Sequence, residues 1–467
     1  MLQNFFCASF AAVYDNSLDA YIPELWAQES LAILEENMVA AALVHRDFEP
    51  YIANYGDVVN TRRPAEFTGK RKTDNDDVTV QDASATNVPV PLDQQVHVSF
   101  LIRDGQESKG FKNLVQEYLS PAMLAQARFI DKIVLGQFPQ FLANGAGKLG
   151  GMTTSTVKGD ILDVRKVMNN NKAYDSNRNL IWNPNSETLA LNTDIFLQAN
   201  TTGDGGLALR EAMLGRKLGF NHYMCQNMAS IATTTDVTID LLVDNTAGYP
   251  VGTTTMVVDG HSGALTANMW FTVAGDETPH RIVSTSGGST PVGVTFTPAL
   301  KHAVVNNAII TIYNPGAVNF SGGYAAGYAK DITYASFSTE PVAGQIVTFG
   351  VTSTDEKYSI ISVDQTANTF VLDRPLASAV ADAAIINIGP SGDYNFAFHR
   401  NALALVVRPL AMPMAGTGAL SSVVNHNGLS MRATITYNGT KQGHLVTLDM
   451  LCGVATLDTN LGAVLYG

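Results

Sequence analysis

The feature that most constrains this chain is a repeat inside a block of uniform texture. From about residue 232 to 391 the sequence turns to alternation rich in Thr, Val, Gly and Asp, and helix signals disappear, which predicts an all-β segment. Within it, Leu300-Lys-His-Ala-Val-Val-Asn-Asn-Ala-Ile-Ile-Thr-Ile312 aligns without gaps on Leu376-Ala-Ser-Ala-Val-Ala-Asp-Ala-Ala-Ile-Ile-Asn-Ile388. The strands ahead of them, 280–284 and 358–362, align with a two-residue slip. Two related modules of about 75 residues fit the interval. The Asn314-Pro-Gly and Ser321-Gly-Gly-Tyr-Ala-Ala-Gly327 runs read as the linker between them. Mixed helix and strand texture resumes after Gly392, so the rest is one discontinuous α+β domain that starts before the block and closes after it. Such insertions are tolerated at surface loops whose ends lie close together.

Composition narrows the function. Only 15% of the 467 residues are charged, well under the roughly 25% of an ordinary soluble protein. The net charge of −13, with no long Lys/Arg run, argues against a protein that grips nucleic acid by neutralising phosphates. Cys7, Cys225 and Cys452 are far apart and match neither a disulfide framework nor a metal spacing, which suits a reducing compartment. The apolar start, residues 1–14, lacks a basic leader and is interrupted by Asp15, so it reads as an arm or short helix. No apolar run reaches membrane length, and the chain is expected to be a soluble cytoplasmic product with no membrane partner.

Along the chain, residues 1–56 form an arm in which Pro23 opens an amphipathic helix over 23–46, with Ala27, Leu31, Leu34, Met38 and His45 at spacings of three and four. That helix packs either on its own domain or on a neighbouring subunit through Leu31, Leu34 and Met38. Residues 57–103 read as a long charged hairpin with alternating stretches at 78–80 and 96–100. Arg62, Arg63, Lys70, Arg71 and Lys72 precede Asp74, Asp76 and Asp77, an unusual concentration of both signs in a chain this poor in charge. Loops this long usually serve function, and a partner is the natural target, although a solvated tip reads equally well. Residues 104–231 carry helices from Asp104 and, after Pro121, to about Leu142, then mixed structure in which 207–218 is helical and 219–224 a strand. Residues 232–391 are the β insertion, and 392–467 close the domain.

Catalytic and metal signatures do not assemble. The nine histidines are scattered and none has a ligand spacing. Asp276 and His280 are four apart on a turn before a strand and read as an ordinary surface pair. Gly203-Asp-Gly-Gly206 lacks the Lys-Ser or Lys-Thr of a phosphate loop and reads as a turn with a helix cap. Glu35-Glu36 and Asp76-Asp77 are adjacent and diverge on any regular backbone. No enzyme and no cofactor is expected.

The order of arm, charged hairpin, long helix, mixed domain with a β insertion and returning β segment resembles the major capsid proteins of tailed phages. It is most similar to the podovirus-type coats of Hong Kong 97-type fold that carry an inserted β domain. Residues 398–404, 408–413, 428–432, Tyr437 and 448–453 look like the closing blocks of that family, and 23–26 and 218–223 like its opening and middle blocks. The resemblance covers about 300 residues and leaves the insertion poorly matched. It implies a non-enzymatic shell protein forming pentamers and hexamers around double-stranded DNA, with 57–103 as the E-loop over a neighbour and about 106–142 as the spine helix. It further implies a separate scaffolding protein, since no room for a fused segment precedes the arm, a portal protein at one vertex, and DNA held without base reading, in a virion assembled in the host cytoplasm. Low charge agrees, because interface cores are depleted of charge. The competing readings are a cellular nanocompartment shell of the same fold, a β-rich adhesin that binds glycan or a receptor, and a hydrolase.

Overall fold

The computed structural model describes residues 27–34, 38–46, 58–63, 67, 69–78, 80–81, 86–107, 114–197, 211–212, 214–231, 237–260, 265–286, 292–313, 315–335, 337, 339–351, 356–414, 418–426 and 429–467. The fold is mixed α+β. Strands β1 (Val58–Arg63), β2 (Thr86–Pro91) and β3 (Gln94–Arg103) precede the long helix Leu114–Leu135. Then follow β4 (Ala146–Gly147), the helix Val157–Asn170, β5 (Arg178–Trp182), the helix Pro184–Leu191, β6 (Arg216–Lys217), β7 (Phe220–Met224) and β8 (Ser230–Ile231). The next twelve strands are β9 (Val237–Val243), β10 (Thr255–Asp259), β11 (Trp270–Val273), β12 (His280–Ser286), β13 (Val292–Thr297), β14 (Ile309–Tyr313), β15 (Gly316–Val318), β16 (Ile332–Ala335), β17 (Ile346–Phe349), β18 (Tyr358–Asp364), β19 (Thr369–Leu372) and β20 (Ile385–Ile388). The chain ends with β21 (Gly392–His399), β22 (Leu403–Arg408), β23 (Leu420–His426), β24 (Leu429–Asn438), β25 (Gly443–Thr456) and β26 (Gly462–Tyr466).

Strands β9 to β14 close into one barrel and β15 to β20 into a second, and the two share one strand order once each is renumbered from its first strand. The repeat seen in the sequence is this duplication. Leu300 and Leu376, Ile310 and Ile386, and Ile312 and Ile388 all point into their barrels, each at most 2% exposed. The Tyr249–Val304 bridge of the first barrel recurs as Tyr324–Val380 in the second. A bulge between Ile282 and Ser284 recurs between Ile360 and Ser362, 78 residues on, whereas the closing strands repeat at 76, which is the two-residue slip. The linker differs from expectation. Only residues 314–315 separate the barrels, Tyr313 of the first packs in the core of the second, and Ser321–Gly327 lies inside the second barrel between β15 and β16.

The main body is built from both sides of the barrels. Its larger sheet runs β4-β26-β21-β5-β7-β6, with β8 also on β21, so two late strands are sandwiched between early ones. β26 is buried along its whole length, the signature of a central strand covered on both faces. The second sheet runs β22-β25-β24-β23, with β3 on β25. The long helix buries Leu119, Met123, Ala127, Ile130 and Val134 at helical spacing against this sheet's core. It continues across Pro121, giving up one backbone hydrogen bond, where the sequence suggested a break.

Two further expectations change. Of the helix foreseen at 207–218, residues 207–210 lie outside the described residues and Glu211 is helical, but from Ala212 the chain leaves the helix for a hairpin of β6 and β7, with Ala212, Gly215, Leu218 and Gly219 all at positive φ. Val78 and Val80 lie outside any strand, and the stretch 96–100 pairs with β25 and not within the hairpin.

Equivalent hydroxyls brace the two barrels: Val257 N donates to Tyr249 Oη and Thr333 N to Tyr324 Oη, both at 2.8 Å. Tyr249→Phe and Tyr324→Phe should each lower stability by about 1–2 kcal/mol, read from denaturant midpoints. Unequal losses would show that the barrels do not share this brace.

Candidate assembly surfaces

The hairpin has a short paired stem and a long exposed end. β1 and β2 pair without interruption from Val58–Pro91 to Arg63–Thr86, so Arg62 and Arg63 sit on the backbone of the stem. Beyond it, Lys70, Arg71, Lys72, Asp74, Asp76 and Asp77 are all exposed. A turn in which Asp76 N donates to Thr73 O, and the Thr73 hydroxyl to the Asp76 carboxylate, shapes the end. Three apolar side chains stand among these charges: Phe67 is 65% exposed, Val78 74% and Val80 86%. Sequence reasoning passed over Phe67, whose signal was an aromatic residue inside a charged loop. The base is anchored tightly. Val59, Val90 and Leu92 pack on Ala404 and Val406, and a Cβ at Gly453 would lie 1.9 Å from Pro91 O.

The arm turns inward. Leu31, Leu34 and Met38, read as contacts to a neighbour, are buried to 5% exposure or less in the subunit's own core, where Ser30 Oγ also contacts Met431 Sδ. That reading is corrected for these three side chains, which pack on their own subunit. Nor is the arm one helix over 23–46, because residues 27–34 and Ala40–Leu43 are separate helical pieces and 23–26 lie outside the described residues. The second piece is capped from outside its own sequence. Asp131 of the long helix, 1% exposed, accepts from Val39 N and Ala41 N, each at 2.9 Å. Burial raises its pKa to about 6 against the pull of those backbone bonds. His45 then bridges to Ala404 along the outer edge of β22.

A buried carboxylate lies where each barrel meets the main body. In the second, Asp373 accepts from Gln137 Nε2 at 2.8 Å, from Ser359 N at 2.8 Å and from Arg374 Nη1 at 3.1 Å, while its carbonyl takes Gln94 Nε2 at 2.9 Å. Burial raises its pKa to about 6, with Arg374 opposing. In the first, Asp276 and His280 are both fully buried, which corrects the surface pair read from the sequence. Asp276 Oδ2 meets His280 Nε2 and Oδ1 meets His302 Nδ1, both at 2.9 Å, and the carboxylate also accepts from the backbone of Lys301 and His302. Burial alone would raise the Asp276 pKa, but the two imidazoles and the Lys301 N–H together hold it below the ordinary value. The turn is pressed against the main body, where Leu149 N donates to Glu277 O and Lys148 pairs with Glu277 at 3.2 Å. The barrels meet through Asn268, whose side chain accepts from Arg281 at 2.7 Å and donates to Phe349 O at 3.1 Å.

Chemistry-bearing groups are occupied structurally. Among the described residues no group of three or more His, Cys, Asp or Glu could hold a metal, and no helix is long and apolar enough to cross a membrane. Cys225 and Cys452 are buried thiols, raised by burial to about 11 and about 12. A cleft of about 280 Å3 beside Gly136, Asn227, Met228 and Gly344 presents Lys132, whose ammonium already donates to Ile361 O. Gly203–Gly206, Glu35, Glu36 and Cys7 lie outside the described residues.

No family profile and no curated sequence matches the chain. Among solved structures it is similar to one described as Mycobacterium phage Che8, at 13% identity and a TM-score of 0.43, over 91% of this chain and 90% of that one. It is similar to the capsid structure of the Cyanophage P-SCSP1u at 8% identity and a TM-score of 0.42, over 92% and 88%. The mature capsid of bacteriophage PhiM1 gives 8% and 0.36, over 88% and 82%.

Three results follow from these junctions. Gly453→Ala should destabilise the subunit by about 2–4 kcal/mol, since β25 or the hairpin base must move, and a thermal midpoint within 1 °C or so of the parent would refute the tight crossing. Asp131→Ala, leaving the buried Ala41 N–H and the part-buried Val39 N–H unpaired, should cost about 1–3 kcal/mol and expose the 38–46 segment to proteolysis. The pH dependence has two opposed parts. Asp131 and Asp373 hold their protons more tightly folded than unfolded, so the stability they add at low pH is lost as pH rises from about 4 through about 6. Asp276 has the opposite sign, and its contribution is lost as pH falls below the ordinary carboxylate value of 3.8. Denaturant midpoints between pH 3 and 8 should show both limbs, and Asp373→Asn should flatten the upper one.

Proposed function

We propose that this chain is a shell subunit, the major capsid protein of a tailed phage, which self-assembles as pentamers and hexamers into an icosahedral container for double-stranded DNA. The observation that carries this is the hairpin end. Lys70, Arg71, Lys72, Asp74, Asp76 and Asp77 surround exposed Phe67, Val78 and Val80 on a loop beyond a two-stranded stem. A monomer gains nothing from holding apolar side chains in water among charges of both signs. A neighbouring copy supplies both an apolar surface and complementary charges, which fix register and partner choice. On this reading 57–103, including Arg62 and Arg63 on its stem, is the E-loop over a neighbour, and the long helix is the spine of the Hong Kong 97-type fold. Residues 1–56 form the arm, 104–231 with 392–467 the body, and 232–391 the inserted domain. A separate scaffolding protein and a portal complete the assembly, and the acidic balance suits a wall that must not bind its DNA.

The test is assembly, in the presence of the neighbouring genes, followed by sedimentation and electron microscopy. Parent protein should give megadalton particles. Lys70→Glu, Arg71→Glu and Lys72→Glu together should cut particle yield at least tenfold with an unchanged thermal midpoint, because these side chains are exposed and, among the described residues, hydrogen-bond only from Lys72 Nζ to the adjacent Thr73 O. A monomer that binds glycan and never assembles would favour the adhesin, and normal particles from the triple variant would remove the hairpin from the contact.

A further inference from the structure

β23 is an open sheet edge that lacks the devices that keep other edges from pairing. Its seven residues, Leu420-Ser-Ser-Val-Val-Asn-His426, include no Lys, Arg, Asp, Glu or Pro. It pairs with β24 in unbroken register from Leu420–Ile435 to His426–Leu429, with no bulge. Among the described residues nothing pairs with its outer side. Natural proteins blunt free edges by shortness, charge, proline, bulges or covering elements. The other edges here show those features. β4 and β6 are two residues long, and β6 is Arg216–Lys217. β1 carries Arg62 and Arg63, and β2 carries Pro89 and Pro91. β22 is covered by His45. β3, at the far side of its sheet, ends in Arg103 and has Phe100 stacked on Tyr118 of the long helix, ring centroids 5.8 Å apart. Among the described residues only β23 is long, uncharged and uncovered. Its first residue, Leu420, is 41% exposed, and the preceding loop holds Met412 at 59% and Met414 at 85%.

We infer that β23 is an association edge that takes β23 of a second copy of this chain as an antiparallel strand, joining two sheets across a two-fold axis. The strand suits itself as partner. With the axis at Val423, Ser421 lies opposite Asn425 of the other copy, Ser422 opposite Val424 and Leu420 opposite His426, so no like charges meet. Seven residues make a weak contact alone, which fits a contact repeated many times in one particle. The inference rests on the shell reading for its abundance of copies, and it adds a contact that does not involve the hairpin.

Cysteine placement tests both the edge and the register. Directly opposed residues in an antiparallel pair have Cα atoms about 4.5–5.5 Å apart, within disulfide range. In a Cys7→Ser background, Val423→Cys should therefore form a disulfide-linked dimer under mild oxidation of purified particles, reversed by reductant. Asn425→Cys should not, because two copies of residue 425 stand four positions apart, about 13 Å. Ser421→Cys with Asn425→Cys should link again. Thermal midpoints confirm that each variant is folded. Particles in which Val423→Cys stays monomeric overturn the edge pairing and leave the shell reading standing, and equal linking by Asn425→Cys overturns the register. Should the parent form no particles, the shell reading fails, and the same oxidation of concentrated subunits decides the edge: a Val423→Cys dimer supports it and a monomer overturns it.

Discussion

The junction at Asp373 is the constraint on which the arrangement of the subunit turns. One fully buried residue joins β18 through Ser359, the segment after the long helix through Gln137, and the start of β3 through Gln94. Gly136 is what lets these elements come so close, since a Cβ there would lie 2.5 Å from Asp373 Cβ. A buried carboxylate is costly unless its oxygens are filled, and here the fillers are Gln137 after the long helix, Ser359 of β18 and the adjacent Arg374, while Gln94 takes the backbone carbonyl. The second barrel is thereby held against the body at one orientation, and the first is held to the second through Asn268.

Duplication followed by divergence explains how two equal barrels meet different surroundings. With the 78- and 76-residue offsets, His280 corresponds to Tyr358, Thr278 to Glu356, and His302 to Ser378. In the second barrel Tyr358 Oη accepts from Ala377 N at 2.9 Å and Glu356 accepts from Ser378 Oγ at 2.8 Å. In the first, Asp276 with two histidines does the same closing work on the Lys301–His302 backbone. The barrel end is closed in both, but only the version with a desolvated carboxylate lies against the main body at Leu149. The duplicated interior is kept while the docking chemistry has changed.

Much of the architecture was legible in the chain because the signals were local. The gapless match of Leu300–Ile312 to Leu376–Ile388 is a statement about which side chains face a core, and the barrels honour it position by position. The helical run after Pro121 was likewise legible, but not its continuity back across Pro121 to Leu114. The contacts were less legible. Apolar spacing in Leu31, Leu34 and Met38 said that a face is buried and could not say against which chain. Asp276 and His280 looked like a surface pair because nothing near them in sequence reveals the segment around Leu149 that covers their turn.

The sequence by itself determined the all-β block, its duplication with a two-residue slip, the discontinuous body around it, and the charged loop within 57–103. Each is written in periodicity or composition over a few tens of residues. Only the tertiary structure decided that Leu31, Leu34 and Met38 pack inside their own subunit, that two positions part the barrels, and which of the described strands end a sheet with an open edge. These depend on what meets what across hundreds of residues, through contacts such as Asp131 with Val39 and Asp373 with Gln94, and neighbouring side chains carry no record of such meetings.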